Sequence, residues 1–297
     1  AGGGPPAAGD TLTNPDLADL LEELGRLGET PPRFFDAVLE GFGPDAGGTL
    51  TAADLAATPR TGAPRQLRLG DWAVLTSSRV GGALVEVILG ALSGADPEPD
   101  EAAEVLRVAE ACRAGHAARA AASARGSTTH VSVLDAAGGA ASVTLTNGEG
   151  CGQVARGTGV QLNNFLGEED LNPAGFHRHA PGAPLPTMIA PTVGLHHGRP
   201  AMALGSGGSN RIRSVVSQVL YRVMRGEPVE HAVVAPRVHA ETDHAWIELA
   251  ERTDPDAILA ALRSRFGVVH PFPGRAFYFG GVHAALIDAE GRAHAAG

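Results

Sequence analysis

Residues 126–146 read Gly126-Ser-Thr-Thr-His-Val-Ser-Val-Leu-Asp-Ala-Ala-Gly-Gly-Ala-Ala-Ser-Val-Thr-Leu-Thr146. From Thr128 the side chains alternate with a period of two. His130, Ser132 and Leu134 fall on one face, and Val131 and Val133 on the other. After an Asp/Gly turn at 135–139, Ala141, Val143 and Leu145 alternate with Ser142, Thr144 and Thr146. Alternation on both sides of such a turn predicts a β-hairpin. Upstream of Arg125-Gly-Ser127 the period is helical instead. Asn14 is an N-cap with Pro15 at the first helical position, Leu17, Leu20, Leu21 and Leu24 form a core stripe, and Gly25 and Gly28 close the helix. Thr51 and Asp54 have capping-box spacing before a short helix that stops ahead of Pro59. Residues 80–92 read as a buried helix. Residues 101–122 read as an alanine-rich one with Val105, Leu106, Val108 and Ala109 inward.

Downstream, a second hairpin is predicted at 189–195 and 201–204, turning at His196-His-Gly-Arg199. Ser209 is the natural N-cap of a helix whose one-sided stripe is Ile212, Val215, Val216, Val219, Leu220 and Val223. A further helix follows at 256–266, then strands at 276–279 and 282–288. Helices first, strands next and mixed elements last predict layered α and β structure without a βαβ repeat.

Composition narrows the function. The 297 residues carry 33 acidic and 23 basic groups, a net charge of -10. No basic cluster offers a surface for nucleic acid or anionic lipid. Every basic residue is arginine, which excludes a lysine nucleophile, a Schiff base and a Walker-type phosphate lysine. Cys112 and Cys151 are too few for a disulfide framework or structural zinc, and sequence does not tell whether they pair. No apolar run reaches the roughly 20 residues of a membrane-spanning helix. The chain opens Ala1-Gly-Gly-Gly-Pro-Pro without an initiator Met, as a fragment or processed form would, so the compartment stays open.

Two stretches can carry chemistry. A threonine hydroxyl needs an adjacent base, and a cut before Thr128 would supply one as that residue's own α-amine, with a pKa of roughly 7.7–8.0. By itself the sequence around Thr128 also fits an ordinary strand start. Gly205-Ser-Gly-Gly-Ser209, between strand and helix, can present backbone N–H groups to an oxyanion. By itself it also fits a tight turn.

Together these stretches resemble the γ-glutamyltranspeptidases, which are N-terminal-nucleophile hydrolases. The resemblance rests on five motifs in order: Thr128-Thr-His-Val-Ser-Val-Leu-Asp135, Ser142-Val-Thr-Leu-Thr-Asn147, Gly157-Thr-Gly-Val-Gln-Leu-Asn-Asn164, Met188-Ile-Ala-Pro-Thr192 and Gly205-Ser-Gly-Gly-Ser-Asn-Arg-Ile212. Val238-His239 after Ala235-Pro-Arg237 also fits. The resemblance implies an α+β fold, a four-layer αββα sandwich. Residues 1–127 would be the mostly helical later part of a large subunit, and 128–297 the small, catalytic segment.

It further implies self-cleavage between Ser127 and Thr128, after which Thr128 attacks a γ-glutamyl amide such as glutathione. Thr146 would support the nucleophile, and Gly207 and Gly208 would form the oxyanion pair. Asn147, Glu168 and Thr187 would bind substrate, with Glu169 and Asp170 as rivals to Glu168. The partners would be a small γ-glutamyl substrate and the chain's own large-subunit segment. No metal or cofactor is called for. The chain departs from the family at several points. The loop after Thr146 is shortened, Phe165 stands where relatives have Gln, the acidic residue is Glu rather than Asp, and Pro186-Thr187 replaces a Ser-Ser pair. These departures keep two alternatives open: an acylase with another amide substrate, and an unprocessed, non-catalytic homologue. His177, His179, His196 and His197 read as surface histidines without a nearby carboxylate. His130 reads as a packing residue, and Trp72 and Trp246 show no evident stacking partner.

Overall fold

The structure is a computed structural model and describes residues 6–94, 96–118, 127–172, 175–185 and 187–297. The expectations placed on residues 119–126 and on Pro186 therefore lie outside the described residues. The helices are α1 (Pro15–Leu27), α2 (Pro32–Phe42), α3 (Ala52–Leu55), α4 (Val80–Ser93), α5 (Glu101–Ala117), α6 (Ile212–Met224), α7 (Val229–Val234) and α8 (Pro255–Arg263). The strands are β1 (Arg65–Leu69), β2 (Trp72–Thr76), β3 (Ser127–Leu134), β4 (Ala140–Gly148), β5 (Val154–Ala155), β6 (Val160–Gln161), β7 (Thr192–His196), β8 (Arg199–Ser206), β9 (Val238–Glu241), β10 (His244–Glu248), β11 (Val268–Phe272), β12 (Val282–Ile287) and β13 (Ala293–Ala296).

Two units are distinguished. The smaller comprises residues 1–61 and 150–164. Its first helix starts as expected: the Asn14 side chain accepts the Leu17 N–H, Pro15 opens the helix, and Gly28 ends it at φ 74°. Asp54 accepts from both the N–H and the hydroxyl of Thr51, which completes the α3 cap. The leucine stripe is not the core expected, because Leu20 alone is buried while Leu21, Leu24 and Leu27 remain exposed. The small core of this unit is built on α2 instead, around Ala37, Val38 and Ala155.

The larger unit comprises residues 62–149 and 165–297. An antiparallel sheet in the order β1-β2-β7-β8-β12-β13 forms its middle. β8 is buried on both faces from Ala201 to Ser206. Met202 and Leu204 point into the apolar core with Leu84, Ile88, Leu89, Val215 and Val219 of α4 and α6. The alternate residue Gly205 faces the β3–β4 hairpin, where its missing Cβ makes room for the His130 ring. The hairpin reverses the usual disposition of polar and apolar residues. Its polar set, His130, Ser132, Ser142 and Thr144, faces inward and is hydrogen-bonded, with Ser142 donating to the Leu204 carbonyl and Ser132 to that of His283. Val131, Val133, Val143 and Leu145 form its exposed outer face. α5 and α8 pack together and against the small sheet β11-β10-β9, in which α8 links two parallel strands. The result is the α+β layering expected, helices on one face of a sheet and a second sheet on the other.

Four local expectations are corrected. α6 is buried nearly all round rather than on one side. It begins at Ile212, after a 3₁₀ turn at Ser209–Arg211, so Ser209 is not its N-cap. Residues 277–279 form a 3₁₀ turn instead of a strand, closed by the Gly280 N–H on the Phe277 carbonyl. Both tryptophans have stacking partners, Trp72 with His196 and Trp246 with His244, His270 and Tyr278. Strands at 65–76 and 238–248 were not foreseen. Both cysteines are free thiols, and burial pushes Cys112 up to about 11.

The last strand is held by a titratable clasp. His294 lies 2.9 Å from Asp288 and 3.0 Å from Glu230. Its hydrogen bonds to these two carboxylates raise its pKa. The His294 contact holds Asp288 well below the carboxylate range, and Glu230 is lowered by its backbone hydrogen bond and by His294. The ring's contribution is complete below its ordinary 6.5 and is lost as pH rises through the raised folded value. The carboxylates' contribution is complete above their ordinary values and is lost as pH falls through the lowered ones. The Tm deficit of His294→Gln relative to wild type should therefore peak between about pH 4.5 and 6.5 and shrink on either side. A deficit independent of pH would contradict this account.

Candidate active site

Thr128 lies near the start of β3, where the ladder with β4 breaks step. Ser127 pairs with Gly148 and Thr128 with Thr146, which leaves Asn147 as the extra residue of a bulge. Bulges re-aim side chains and recur beside active sites. This one sets Thr128 directly across from Thr146, whose hydroxyl accepts the Gly148 N–H at 2.9 Å. It also leaves Asn147 exposed.

The connection from β8 to α6 passes against Thr128. A Cβ on Gly207 would sit 2.7 Å from the Thr128 carbonyl oxygen and 3.4 Å from its Cβ, so only glycine permits this approach. Gly208 follows at φ 114°, where side chains are strained. Ser209 then adopts φ 53°, and its hydroxyl is buried without a hydrogen-bond partner. A positive φ outside glycine and an orphaned buried hydroxyl each cost on the order of 1–3 kcal/mol, and such costs concentrate at functional sites.

Two cavities are lined in part by Thr128. The smaller, about 40 Å³, is also lined by Thr146, Phe165, Glu168, Thr187 and Ser209. Glu168 is buried and accepts the Glu149 N–H at 2.9 Å. Of its rivals, Glu169 is exposed and lines neither cavity, and the Asp170 side chain lies outside the description. Asn147 also lines neither. The hydroxyl of Thr187 accepts the Ile189 N–H.

The larger cavity, about 610 Å³, is lined by Gly207, Gly208, Arg211, Tyr278 and His283 beside Thr128. The Arg211 guanidinium sits 4.5 Å from the Tyr278 ring centre, and its Nε donates to the Tyr278 carbonyl at 2.8 Å. Burial pushes the Tyr278 hydroxyl up to about 12, so it is a neutral donor at pH 7. His130 borders this cavity, but its ring nitrogens meet the hydroxyls of Thr144 (2.7 Å) and Ser132 (2.9 Å). Burial, followed by the charge of His283, pushes His130 down to about 4, which suits a packing residue.

A buried polar chain fixes the start of α6. Arg213 donates to Glu241 at 2.9 Å, the His239 Nε2 lies 3.1 Å from the same carboxylate, and Ser214 meets His239 Nδ1 at 2.7 Å. Burial pushes His239 down to about 4. Burial alone would raise Glu241, but the His239 hydrogen bond and the Arg213 charge hold it at about 2. The structure thus brings together Thr128, Thr146, Gly207, Glu168 and Thr187. Ser209, Arg211 and Tyr278 join them. The sequence reading missed these three, having assigned Ser209 to a cap and residues 276–279 to a strand.

The gamma-glutamyltranspeptidase family model matches residues 116–297. An acylase proenzyme, ACY 1 of Pseudomonas sp. (strain SE83), is 36% identical over 168 residues, covering 55% of this chain and 29% of its own length. The glutathione hydrolase proenzyme of Bacillus subtilis (strain 168) is 30% identical over 168 residues, with 56% and 28% covered. The chain therefore spans less than a third of the length of these relatives. The crystal structure of cephalosporin acylase from Bacillus halodurans superposes with a TM-score of 0.79 at 19% identity, covering 98% of this chain and 61% of that one. That likeness shows the fold, the α+β sandwich of the N-terminal-nucleophile hydrolases. Among the described residues no helix is long and apolar enough to cross a membrane. On the match over 116–297, together with a threonine strand end set against a diglycine turn, the chain belongs to the gamma-glutamyltranspeptidase family.

Proposed function

We propose that this protein is a self-cleaving amidohydrolase whose nucleophile is Thr128 and whose substrates are γ-glutamyl amides. The carrying observation is the approach of the Gly207 backbone to Thr128, with a cavity open to both. In self-cleavage the Thr128 hydroxyl attacks the Ser127 carbonyl carbon and the peptide C–N bond breaks. Ser127 is then held as an ester and the Thr128 amine is free. Water opens the ester, leaving a Ser127 carboxylate and an N-terminal Thr128. In turnover that amine takes the hydroxyl proton as Oγ attacks the substrate carbonyl, then passes it to the departing amine. Water or an acceptor amine releases the acyl group. The backbone N–H groups of Gly207 and Gly208 would stabilise the tetrahedral oxyanion.

The small cavity suits the acyl group. Glu168 would pair with an ammonium, and the Ser209 and Thr187 hydroxyls would serve a carboxylate in place of the family's serine pair. The large cavity, with Arg211 and Tyr278, suits the leaving group. Phe165 in the small cavity and the similarity to an acylase support a second reading, in which the acyl group lacks the ammonium. Hydrolysis of γ-glutamyl-p-nitroanilide and glutaryl-p-nitroanilide separates the two, because these differ only in the α-amino group. The proposal expects at least about a tenfold kcat/KM preference for the γ-glutamyl compound, the scale of one charge-assisted contact, and a loss of that preference in Glu168→Gln. Equal or reversed preference would move the assignment to the acylase reading.

A further inference from the structure

We propose that Asp71, His196 and His197 form a binding site for one first-row divalent transition cation of the Zn²⁺ class. Sequence alone leaves His196-His197 without a carboxylate. The sheet supplies one. Trp72 pairs with His196 in the β2–β7 ladder, which sets the preceding Asp71 beside the following His197. The His197 N–H donates to the Asp71 carbonyl at 3.0 Å and ties the two turns together. Among the described residues, these three side chains bring one ligand atom each to within 4.8 Å of one another.

Ring packing sets the two imidazoles side by side. The His196 ring stacks on Trp72 at 4.7 Å, and the His197 ring lies 4.2 Å from that of His196. His197 holds φ 49°, an uncommon conformation outside glycine. The Asp71 and His197 side chains are 73% and 66% exposed, so rotation of their side chains can draw the ligand atoms in to bonding distance at little cost. Two imidazoles and one carboxylate suit Zn²⁺, Ni²⁺ or Cu²⁺ with water completing the shell, and do not suit Ca²⁺ or Mg²⁺, which prefer all-oxygen sets. β8 leads from this turn to Ser206, a rise of roughly 23 Å at about 3.3 Å per residue, so the site is remote from Thr128. It stands independently of the proposed reaction.

The test is titration of the metal-stripped protein with Zn²⁺ by calorimetry and with Co²⁺ by visible absorption. One saturable equivalent is expected, with a Co²⁺ ligand-field band and a raised Tm. His197→Ala should weaken binding by about 100-fold and Asp71→Asn by about tenfold, on the scale of lost ligands and their supports. His244→Ala should leave binding unchanged. It removes one partner of another close histidine pair, His244 and His270, whose ring nitrogens stand 3.1 Å apart. Absence of saturable binding, binding that survives His197→Ala, or loss in His244→Ala would each overturn the site.

Discussion

A Thr128→Ala protein is expected to stay uncut after Ser127 and to lose amide turnover by roughly 10⁴-fold or more, the scale of removing a nucleophile that acts with its own base. Thr128 is only half-buried and makes no large apolar contribution, so the variant should melt close to wild type. Thr128→Ser keeps an Oγ and an α-amine and should retain cleavage at a reduced rate. Turnover that persisted in a folded Thr128→Ala protein would place the chemistry elsewhere.

Gly207→Ala should have the second largest effect. The new methyl would meet the Thr128 carbonyl oxygen at 2.7 Å, and that atom is backbone rather than a yielding side-chain tip. Either the β8–α6 turn or the end of β3 must shift by tenths of an ångström. The proposed oxyanion donors depend on both, and losing one such donor costs about 10²–10³ in kcat. Gly90→Ala on α4, where a Cβ meets nothing within 4 Å, should leave kcat unchanged and controls for glycine loss as such. A Gly207→Ala protein with wild-type kcat would remove these amides from the mechanism.

The legible part of the sequence was the part governed by local rules. The Asn14 and Thr51 caps, α4 and the β3–β4 hairpin follow from spacing and short-range chemistry, whereas the roles assigned to the candidate site residues came from the family resemblance. What escaped depended on partners distant in sequence. The leucines of α1 looked like core because their spacing is helical, yet spacing does not say whether anything covers the face. Alternation in β3 and β4 does not say which face turns inward, and the inner face is taken by His130, Ser132, Ser142 and Thr144, which satisfy one another and the backbone of β8 and β12. Residues 277–279 have strand-like composition, yet Gly280, the stacking of Tyr278 on Phe272 and the edge-on contact of Phe279 with Phe272 close them into a turn. Ser209 obeys the capping rule by sequence, but the positive φ at Gly208 and Ser209 diverts the chain first, and the residue instead lines the cavity beside Thr128. The Asp71–His196–His197 cluster required the β2–β7 register, which no motif announces.

The account depends above all on the bond before Thr128. Intact mass of the purified wild-type protein after incubation, with N-terminal sequencing of any fragments, tests it most directly. The account predicts two fragments whose masses sum to the chain plus one water, the second beginning at Thr128. A chain that stays whole while its folded state is verified, or a fragment that begins at any other residue, would contradict it.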